Sequence, residues 1–363
     1  MLILLKNIKC YSPVCLGRRD ILIAGSRIYR ILPPERTQED KLFETIIDGT
    51  GLSAFPGLVD QHVHIIGGGG EEGFASRLPE ISAEEIHAAG VTTLVGLLGA
   101  DGSTRSLPAL YAKAKALEAQ GITTYIYAGS YAMPPVTFTG SIVKDLVLID
   151  KVIGAGELAI SDHRSSHPTL SDLTKLACNV HLGGLLGGKA GILHLHVGDG
   201  RDGLSLLFEM MRQTDLPVNM FIPTHTNRNP RLFSEAMDYC RAGGRIDLTA
   251  GEVAGIPVPQ AITKLIDADI DLTRVTVSSD SNGSTPGGSP GKIGVLYEDL
   301  KNSIVQNRLE PEIVWPLFSE NAAKVLGLFP KKGVLQEGSD ADILITDRKY
   351  NPQMLFCRGI AFS

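Results

Sequence analysis

The sequence predicts an α/β fold in which a parallel (β/α)8 barrel, the TIM-like arrangement, carries a small β-domain. Two observations support this prediction. Apolar strand patterns alternate with helical patterns through the middle of the chain, and short strand patterns with turn signals occupy both ends. A doubly wound open sheet is the competing arrangement for the middle of the chain, because it produces the same alternation.

Residues 1–54 and 330–363 are predicted to form the small β-domain, a sandwich split between the two chain ends. The first segment contains a hairpin pattern, in which Asp20–Ile23 and Arg27–Ile31 flank a turn at Gly25. The last segment contains the strand pattern Asp342–Thr346. Neither segment has enough apolar residues to fold alone, so we expect the two to pair, which would bring the chain termini together.

Residues 55–329 are predicted to form the barrel. Eight strand patterns occur here: Phe55–Asp60, Thr92–Leu98, Ile122–Ala128, Glu157–Ser161, Gly191–Val197, Asn219–Pro223, Arg245–Thr249 and Arg274–Ser279. Helical patterns lie between them, for example at Ser106–Gln120 and at Arg231–Ala242, which two glycines follow. Eight strands that alternate with helices over about 230 residues are typical of a (β/α)8 barrel.

Composition limits the classes of function. The chain has 363 residues, a net charge of −6 and no basic tract, which argues against nucleic acid as a partner. Its five cysteines show no Cys-x-x-Cys spacing, which favours reduced thiols over disulfides. The apolar start Met1–Leu5 ends at Lys6, too early for a secretory segment or a membrane span. We therefore expect a cytoplasmic protein that binds neither nucleic acid nor membrane.

Polar side chains at the predicted strand ends form a candidate metal site. His62 and His64 are two residues apart, so both imidazoles leave a strand in the same direction. In a barrel, the functional groups lie at the carboxyl ends of the strands. The other strand ends add the following residues: Tyr131, Glu157, His196, His225 and Asp280. Four histidines and two carboxylates suit a divalent cation, for which zinc fits and manganese or iron are alternatives.

Several of these residues also have a purely structural interpretation. His194 and His196 are two apart, so either could face the metal; His196 is nearer the strand end, and His194 is expected to be a core histidine one layer deeper. Glu157, which follows Gly156, could be a solvated charge at a helix end. Asp280 follows an apolar strand, and since an unpaired buried carboxylate is costly, a functional role is favoured there.

The whole pattern resembles the amidohydrolase superfamily, in which His-x-His, a bridging ligand on strand four, two further histidines and an aspartate hold the metal. More narrowly, it resembles the bacterial isoaspartyl dipeptidase family. The motifs that carry the resemblance span nearly the whole chain: Gln61–His64, Gly67–Glu71, Ile160–Ser165, Gly183–Lys189, Pro223–Asn229 and Ser278–Ser284. The resemblance implies hydrolysis of the β-aspartyl (isoaspartyl) peptide bond of dipeptides by a metal-bound hydroxide, which releases aspartate and an amino acid. It also suggests a homo-oligomer.

The resemblance further implies a division of the metal ligands. His62, His64 and Asp280 would hold the first ion, and His196 and His225 the second. Asp280 would accept a proton from the attacking water and pass it to the leaving amine, as a general base and then a general acid.

Other residues are implied to bind the substrate. Glu71 would bind the free α-amino group, and Arg164 and Arg228 would bind carboxylates as two-pronged donors. Tyr131 would polarise the scissile carbonyl group. The remaining pocket residues implied by the family are Gly69, Gly70 and Ser284.

The chain departs from the family pattern at two positions. The family bridges its metals with a carboxylated lysine, whereas this chain has Glu157 there and its nearest lysine, Lys151, lies upstream. A glutamate is several bonds shorter, so either the backbone moves inward, which Gly154 and Gly156 permit, or only one zinc binds tightly instead of two. Ala100 replaces a threonine of the family pattern, which would remove one substrate hydrogen bond.

Two alternatives remain at the level of the sequence. One is another amide hydrolase on the same scaffold, an N-acyl-amino-acid deacylase or a dihydroorotase-like cyclic amidase, whose substrate has no free α-amino group. The other is a non-catalytic scaffold that has lost its metals, which the retention of all six ligand residues argues against.

Overall fold

The computed structural model describes residues 2–34, 43–283 and 291–362. Its strands, numbered in chain order, are β1 (Leu2–Tyr11), β2 (Cys15–Ala24), β3 (Arg27–Leu32), β4 (Thr45–Asp48), β5 (Ser53–Pro56), β6 (Leu58–Val63), β7 (Val91–Gly96), β8 (Thr123–Ala128), β9 (Val152–Ile160), β10 (Ile192–Val197), β11 (Phe221–Thr224), β12 (Ile246–Thr249), β13 (Val275–Ser278), β14 (Ile343–Thr346), β15 (Pro352–Cys357) and β16 (Ile360–Phe362). Its α-helices are α1 (Ala83–Ala88), α2 (Leu107–Ala119), α3 (Ile142–Leu148), α4 (Leu170–Gly187), α5 (Ser205–Gln213), α6 (Pro230–Arg241), α7 (Val258–Asp267), α8 (Gly294–Val305), α9 (Pro311–Val314) and α10 (Glu320–Val325).

Strands from both chain ends form one mixed sheet. Its order is β16-β15-β14-β5-β1-β2-β3, and β4 pairs with β1. The two ends meet where β5 runs antiparallel to β14, and β5 and β1 are parallel. Leu5, Ile21 and Ile343 are fully buried in the core that this sheet covers. The strand pairing describes one continuous sheet; the sandwich form and the limits of the two domains stay predictions.

The chain passes from the mixed sheet to the second sheet at Gly57. The predicted strand Phe55–Asp60 is therefore two strands, since β5 pairs with β14 and β6 pairs with β7. A Cβ atom at Gly57 would lie 2.3 Å from Cγ2 of Thr92 in β7. The chain therefore passes too close to β7 at this point for any residue larger than glycine. This pairing places Phe55 and Pro56 in the mixed sheet.

Eight parallel strands, β6 to β13, form the second part of the fold. Strands β6 to β11 pair in sequence order, and β12 pairs with β13. Between β11 and β12, the amide of Thr226 donates to the carbonyl oxygen of Asp247 at 3.2 Å. Between β13 and β6, Val63 and Ser281 form a parallel bridge. These contacts join the two sheets at both edges, so the parallel sheet is curled, which is consistent with a TIM-like barrel and not with an open sheet.

Helix α10 covers the amino-terminal end of the parallel strands. Ala322 and Ala323 belong to one buried apolar cluster with Val59, Ile153 and Ile222, which lie near the start of three strands. The carboxyl ends of the strands therefore remain for a functional site. Among the described residues, no helix combines the length and the apolar content that a membrane crossing requires.

Helix limits follow local capping chemistry. The predicted helix Ser106–Gln120 is observed as α2, with Ser106 as the N-cap whose side chain accepts from the amide of Ala109. Helix α4 begins at a capping box formed by Thr169 and Asp172. The loop between β9 and α4 therefore ends at the N-cap residue Thr169.

Candidate metal centre

Six ionisable side chains from five parallel strands meet at the carboxyl end of the sheet. The four histidines and the glutamate are at most 5 % exposed. The aspartate is partly buried, and its side chain is 22 % exposed. They are His62, His64, Glu157, His196, His225 and Asp280. The structure therefore brings together every residue that the sequence analysis selected as a metal ligand.

Glu157 lies between two pairs of histidines. Its Oε1 atom is 3.5 Å from Nε2 of His62 and 3.6 Å from Nε2 of His64. Its Oε2 atom is 3.3 Å from Nδ1 of His196 and 3.7 Å from Nε2 of His225. Each carboxylate oxygen thus faces one pair, which is the arrangement of a bridging ligand. Lys151 is not at this centre, because its ammonium group binds Glu118 at 2.5 Å.

Two glycines allow the strand that carries Glu157 to lie close to β10. A Cβ atom at Gly154 would lie 2.6 Å from the carbonyl oxygen of Ile192. A Cβ atom at Gly156, whose φ is +151°, would lie 2.7 Å from the carbonyl oxygen of His194. Both glycines therefore let β9 lie closer to β10 than a residue with a side chain would allow.

Asp280 completes the first half of the centre. Its Oδ1 atom is 3.2 Å from Nε2 of His62 and 3.1 Å from Nε2 of His64. Its other oxygen is 3.9 Å from Nδ1 of His225. Because Asp280 also lines the open pocket, it can contact both a metal and a substrate.

The electrostatics suit a bound cation. Burial raises the pKa of the Glu157 and Asp280 carboxyl groups, but the neighbouring histidines outweigh it and hold both values well below the usual range. Burial and the nearby Arg228 lower the pKa of His225 to about 3, which keeps its imidazole neutral. Burial lowers the pKa of His62, but Glu157 and Asp280 outweigh it and raise that pKa well above its usual value. Because neutral imidazoles and ionised carboxylates bind divalent metals, a metal at this centre would replace the proton on His62.

Unpartnered atoms provide a test of whether the residues fit a metal. Nε2 of His62 and Oε2 of Glu157 are buried and have no hydrogen-bond partner among the described residues. Ligand atoms in each of two groups lie within 4.8 Å of one another: His62, His64 and Asp280, and His62, Glu157 and His225. Such atoms are costly to bury without a partner, so the donor set fits a divalent cation.

The second ring nitrogen of three of these histidines is held by a neighbour. Nδ1 of His62 is 2.9 Å from Nε2 of His194, the buried histidine one layer deeper. Nδ1 of His225 is 2.7 Å from the hydroxyl oxygen of Thr249. Such partners fix the tautomer and direction of a metal-binding imidazole. Sequence reasoning placed His194 in the core but did not identify it or Thr249 as a partner.

The third such partner is Asp162, which lies within the Ile160–Ser165 motif. Its Oδ2 atom is 3.0 Å from Nε2 of His196 and accepts from Nη2 of Arg164 at 2.9 Å. Its position between the last residue of β9 and Arg164 was the signal that could have indicated a role.

The predicted substrate residues line a pocket beside the metal ligands. The lining includes Glu71, Tyr131, Arg164 and Arg228, together with His64, Gly69, Ala100, His196 and Asp280. Gly70 is not part of the lining, and Ser284 lies outside the described residues. Asp101 also lines the pocket, but its carboxylate is paired with Arg77 at 2.9 Å. The pocket therefore combines two arginines, two carboxylates outside the candidate ligand set and the metal centre.

Arg164 lies beside both Glu71 and Tyr131 in this pocket. Nη1 of Arg164 is 3.3 Å from Oε1 of Glu71, and its guanidinium group lies 5.2 Å from the ring centre of Tyr131. Burial and the nearby Glu157 raise the pKa of Tyr131 well above its usual value, so its hydroxyl remains a hydrogen-bond donor. That hydroxyl is 2.8 Å from Nδ1 of His196.

The fold and the site define a hydrolase of a known superfamily. A model of the amidohydrolase family matches residues 257–361. An imidazolonepropionase of Photorhabdus laumondii is 24% identical over 93% of this chain and 86% of its own length. The chain belongs to the amidohydrolase superfamily, as the resemblance in its motifs indicated.

Two solved structures are more similar. The β-aspartyl dipeptidase of Fervidobacterium islandicum AW-1, a thermophilic keratin degrader, is 40% identical in sequence. The two structures superpose with a TM-score of 0.94, and the alignment covers 99% of this chain and 96% of that one. A structure from the same organism in complex with the β-Asp-Leu dipeptide is 38% identical, with a TM-score of 0.92 and the same coverage. The assignment to hydrolases similar to these dipeptidases is therefore confirmed.

Proposed function

We propose that the protein hydrolyses the β-aspartyl peptide bond of dipeptides and releases aspartate and a second amino acid. One observation carries the proposal: Glu71, Arg164 and Arg228 line the same pocket as the metal ligands. A β-aspartyl dipeptide has one free amine and two carboxylates, which match the charges of Glu71 and the two arginines. Asp101, the other carboxylate of the lining outside the candidate ligand set, is already paired with Arg77. The similarity to a structure that holds β-Asp-Leu supports the same substrate class.

One divalent ion would be held by His62, His64 and Asp280. A second ion would be held by His196 and His225, and Glu157 would be a ligand of both. When bound there, the metal lowers the pKa of a coordinated water molecule and supplies a nucleophile at neutral pH. Zinc is the proposed ion because nitrogen and oxygen ligands of this kind are its usual set.

The side chains of this chain perform the remaining steps. Asp280 faces the pocket beside His62 and His64, so it can take a proton from the attacking water and return it to the leaving amine nitrogen. As the amide carbon–nitrogen bond breaks, that amine becomes the amino group of the second product. Tyr131 donates to the carbonyl oxygen as negative charge develops on it.

Arg228 provides the attraction for a substrate carboxylate. Among the described residues, no side-chain hydrogen bond or ion pair engages its guanidinium group, and it lines the pocket. Arg164 is partly neutralised by Asp162 and Glu71. A carboxylate at Arg228 would therefore gain a charge-assisted hydrogen bond without displacing an existing partner.

The decisive assay compares β-Asp-Leu, α-Asp-Leu and N-acetyl-aspartate, with and without added zinc. We expect zinc-dependent hydrolysis of β-Asp-Leu in clear preference to the other two compounds. Hydrolysis of the acetylated compound alone would instead assign a deacylase.

A variant tests the role of the free amine. Glu71→Gln removes the charge that would pair with it, so kcat/KM for β-Asp-Leu should fall roughly 10- to 100-fold, the size of a lost charge-assisted hydrogen bond. The matched control is Glu72→Gln, because Glu72 is the neighbouring carboxylate and is not part of the pocket lining. The control should keep its activity.

A further inference from the structure

Asp162 connects the metal centre to the substrate pocket. It lies in the loop after β9, and its side chain is only 3 % exposed. Oδ1 accepts from the backbone amide of Arg164 at 2.7 Å and from its Nε at 3.0 Å. Oδ2 accepts from Nη2 of Arg164 at 2.9 Å and from Nε2 of His196 at 3.0 Å. One carboxylate thus binds a candidate metal ligand and a candidate substrate residue at the same time.

The contact with His196 determines which of its nitrogens is available to a metal. A carboxylate can only accept, so with a metal on the Nδ1 side the contact with Asp162 keeps the proton on Nε2 and the lone pair on Nδ1. Nη2 of Arg164, which lies 3.2 Å from the same Nε2, donates to Asp162 instead. Nδ1 is the atom that lies 3.3 Å from Oε2 of Glu157, on the side of the metal ligands. Without Asp162, the other tautomer would place a proton on that side.

The contacts with Arg164 determine which edge of its guanidinium group faces the pocket. Nε and Nη2 are both taken by Asp162 in a bidentate pair, which leaves Nη1. Nη1 lies 3.3 Å from Oε1 of Glu71, and both residues line the pocket. The arginine is thus held in one orientation before a substrate arrives, which reduces the entropy lost on binding.

The packing around Asp162 shows that this position is not an incidental surface ion pair. A Cβ atom at Gly198, just after β10, would lie 2.5 Å from both Cβ and Oδ2 of Asp162. The backbone at the end of the strand that carries His196 therefore lies directly against the carboxylate. If Asp162 formed only an ion pair at the surface, a residue with a side chain could replace Gly198.

We propose that Asp162 is a positioning residue that couples metal binding to substrate binding. It sets the tautomer of His196 and the orientation of Arg164 through one carboxylate. The role in substrate binding rests on the proposed hydrolysis of β-aspartyl dipeptides, whereas the role at His196 requires only that a metal binds.

The test variant is Asp162→Asn, which keeps the shape but places an amide donor against Nε2 of His196 or against Arg164. Removal of such a partner typically costs roughly 10- to 100-fold in metal affinity or activity. We expect zinc affinity, measured by competition with a chromophoric chelator, to fall by about that factor, and KM for β-Asp-Leu to rise about tenfold or more. The matched control is Asp20→Asn, a fully buried aspartate in the mixed sheet, whose zinc affinity and KM should not change.

A double-mutant cycle separates coupling from a general loss of structure. In an Arg164→Lys background the bidentate pair is already absent, so the further change Asp162→Asn should add less to KM but should still weaken zinc binding. Wild-type zinc affinity in Asp162→Asn, a change in only one of the two quantities, or equal losses in Asp20→Asn would overturn the proposal. If wild-type protein does not hydrolyse β-Asp-Leu, the proposed function fails, but the zinc measurement still decides the role at His196.

A measurement on unmutated protein provides a second test that does not depend on folding of a variant. In 15N-histidine-labelled protein with zinc bound, the imidazole of His196, assigned by His196→Gln, should give a proton signal on Nε2 that is slow to exchange, because Nε2 donates to a buried carboxylate. A proton on Nδ1 instead would contradict the proposed tautomer.

Discussion

At the scale of single residues, Glu157 distinguishes this centre from the lysine-bridged pattern that its motifs resemble. Its two oxygens lie 3.3 to 3.7 Å from ring nitrogens of four histidines. A carboxylated lysine would require carbon dioxide to form the same bridge, whereas a glutamate is anionic as synthesised. In the proposed bridging role, Glu157 would therefore need no chemical step before a metal binds.

Neutralising Glu157 should reduce the number of metal ions. Glu157→Gln keeps the size of the side chain but loses the charge that faces both histidine pairs, so we expect at most one zinc per chain in place of two. Metal analysis of purified protein measures this directly. Glu71→Gln, which changes a pocket carboxylate outside the ligand set, should retain the wild-type metal content, and two ions in Glu157→Gln would refute the bridging role.

Thiol reactivity should divide the five cysteines into two classes. Burial raises the pKa of Cys10 and of Cys240 to about 12, and it also raises that of Cys357, whereas Cys15 and Cys178 are exposed. Since the thiolate is the reactive form, we expect two thiols to react rapidly with Ellman's reagent at pH 8 and three to react only after unfolding. Cys178→Ser should lower the rapid count to one; rapid reaction of four or five thiols would contradict the burial.

At the scale of elements, strand β9 depends on two glycines to place Glu157. Gly154 and Gly156 allow its backbone to approach β10 at distances that a Cβ atom would prevent. The sequence analysis identified these glycines as permissive, and the structure supplies the neighbours that make them necessary. A change in this strand should therefore affect the metal centre as well as stability.

Gly156→Ala tests this dependence. The new Cβ atom would meet the carbonyl oxygen of His194 at 2.7 Å, and the φ of +151° is unfavourable for alanine. We expect a loss of about 3 kcal/mol in the free energy of unfolding, measured with urea, together with weaker zinc binding. Gly294→Ala is the control, because no atom of the described residues lies within 4 Å of its new Cβ and it begins α8. That variant should be neutral or slightly more stable.

At the scale of the whole molecule, five strands that are distant in sequence supply the ligands of one centre. His62 and Asp280 are 218 positions apart in the chain, yet 3.2 Å separates Nε2 of the first from Oδ1 of the second. A metal bound between them ties the first and last strands of the parallel sheet. Metal binding should therefore contribute to the stability of the entire parallel sheet and not of one loop.

Removal of the metal should lower the melting temperature. A ligand that binds only the folded state stabilises it in proportion to the logarithm of its concentration over its Kd. We expect a chelator to lower Tm by about 5 °C or more and added zinc to restore it, as measured by scanning fluorimetry. In a His62→Ala variant the chelator should have a much smaller effect. An unchanged Tm in wild-type protein would show that no metal holds these strands together.

What the sequence could predict was local. The alternation of apolar runs with helical patterns identified the eight strands of the parallel sheet, and residue types at the strand ends selected the six side chains that the fold brings together. The Phe55–Asp60 pattern was read as one strand because Pro56 and Gly57 do not by themselves show a change of sheet. Pairing partners for β5 and β6 come from residues more than thirty positions away, so only the folded chain separates them.

By itself, the sequence determined the types of element, their order and the residues able to bind a metal, because these depend on spacing and side-chain chemistry. Only the tertiary structure decided which nitrogen of each histidine faces the carboxylates, and that His194, Thr249 and Asp162 hold the opposite nitrogens. Those partners lie on other strands or their loops, and their contacts are set by packing between strands. No local pattern encodes a direction that arises only when distant segments meet.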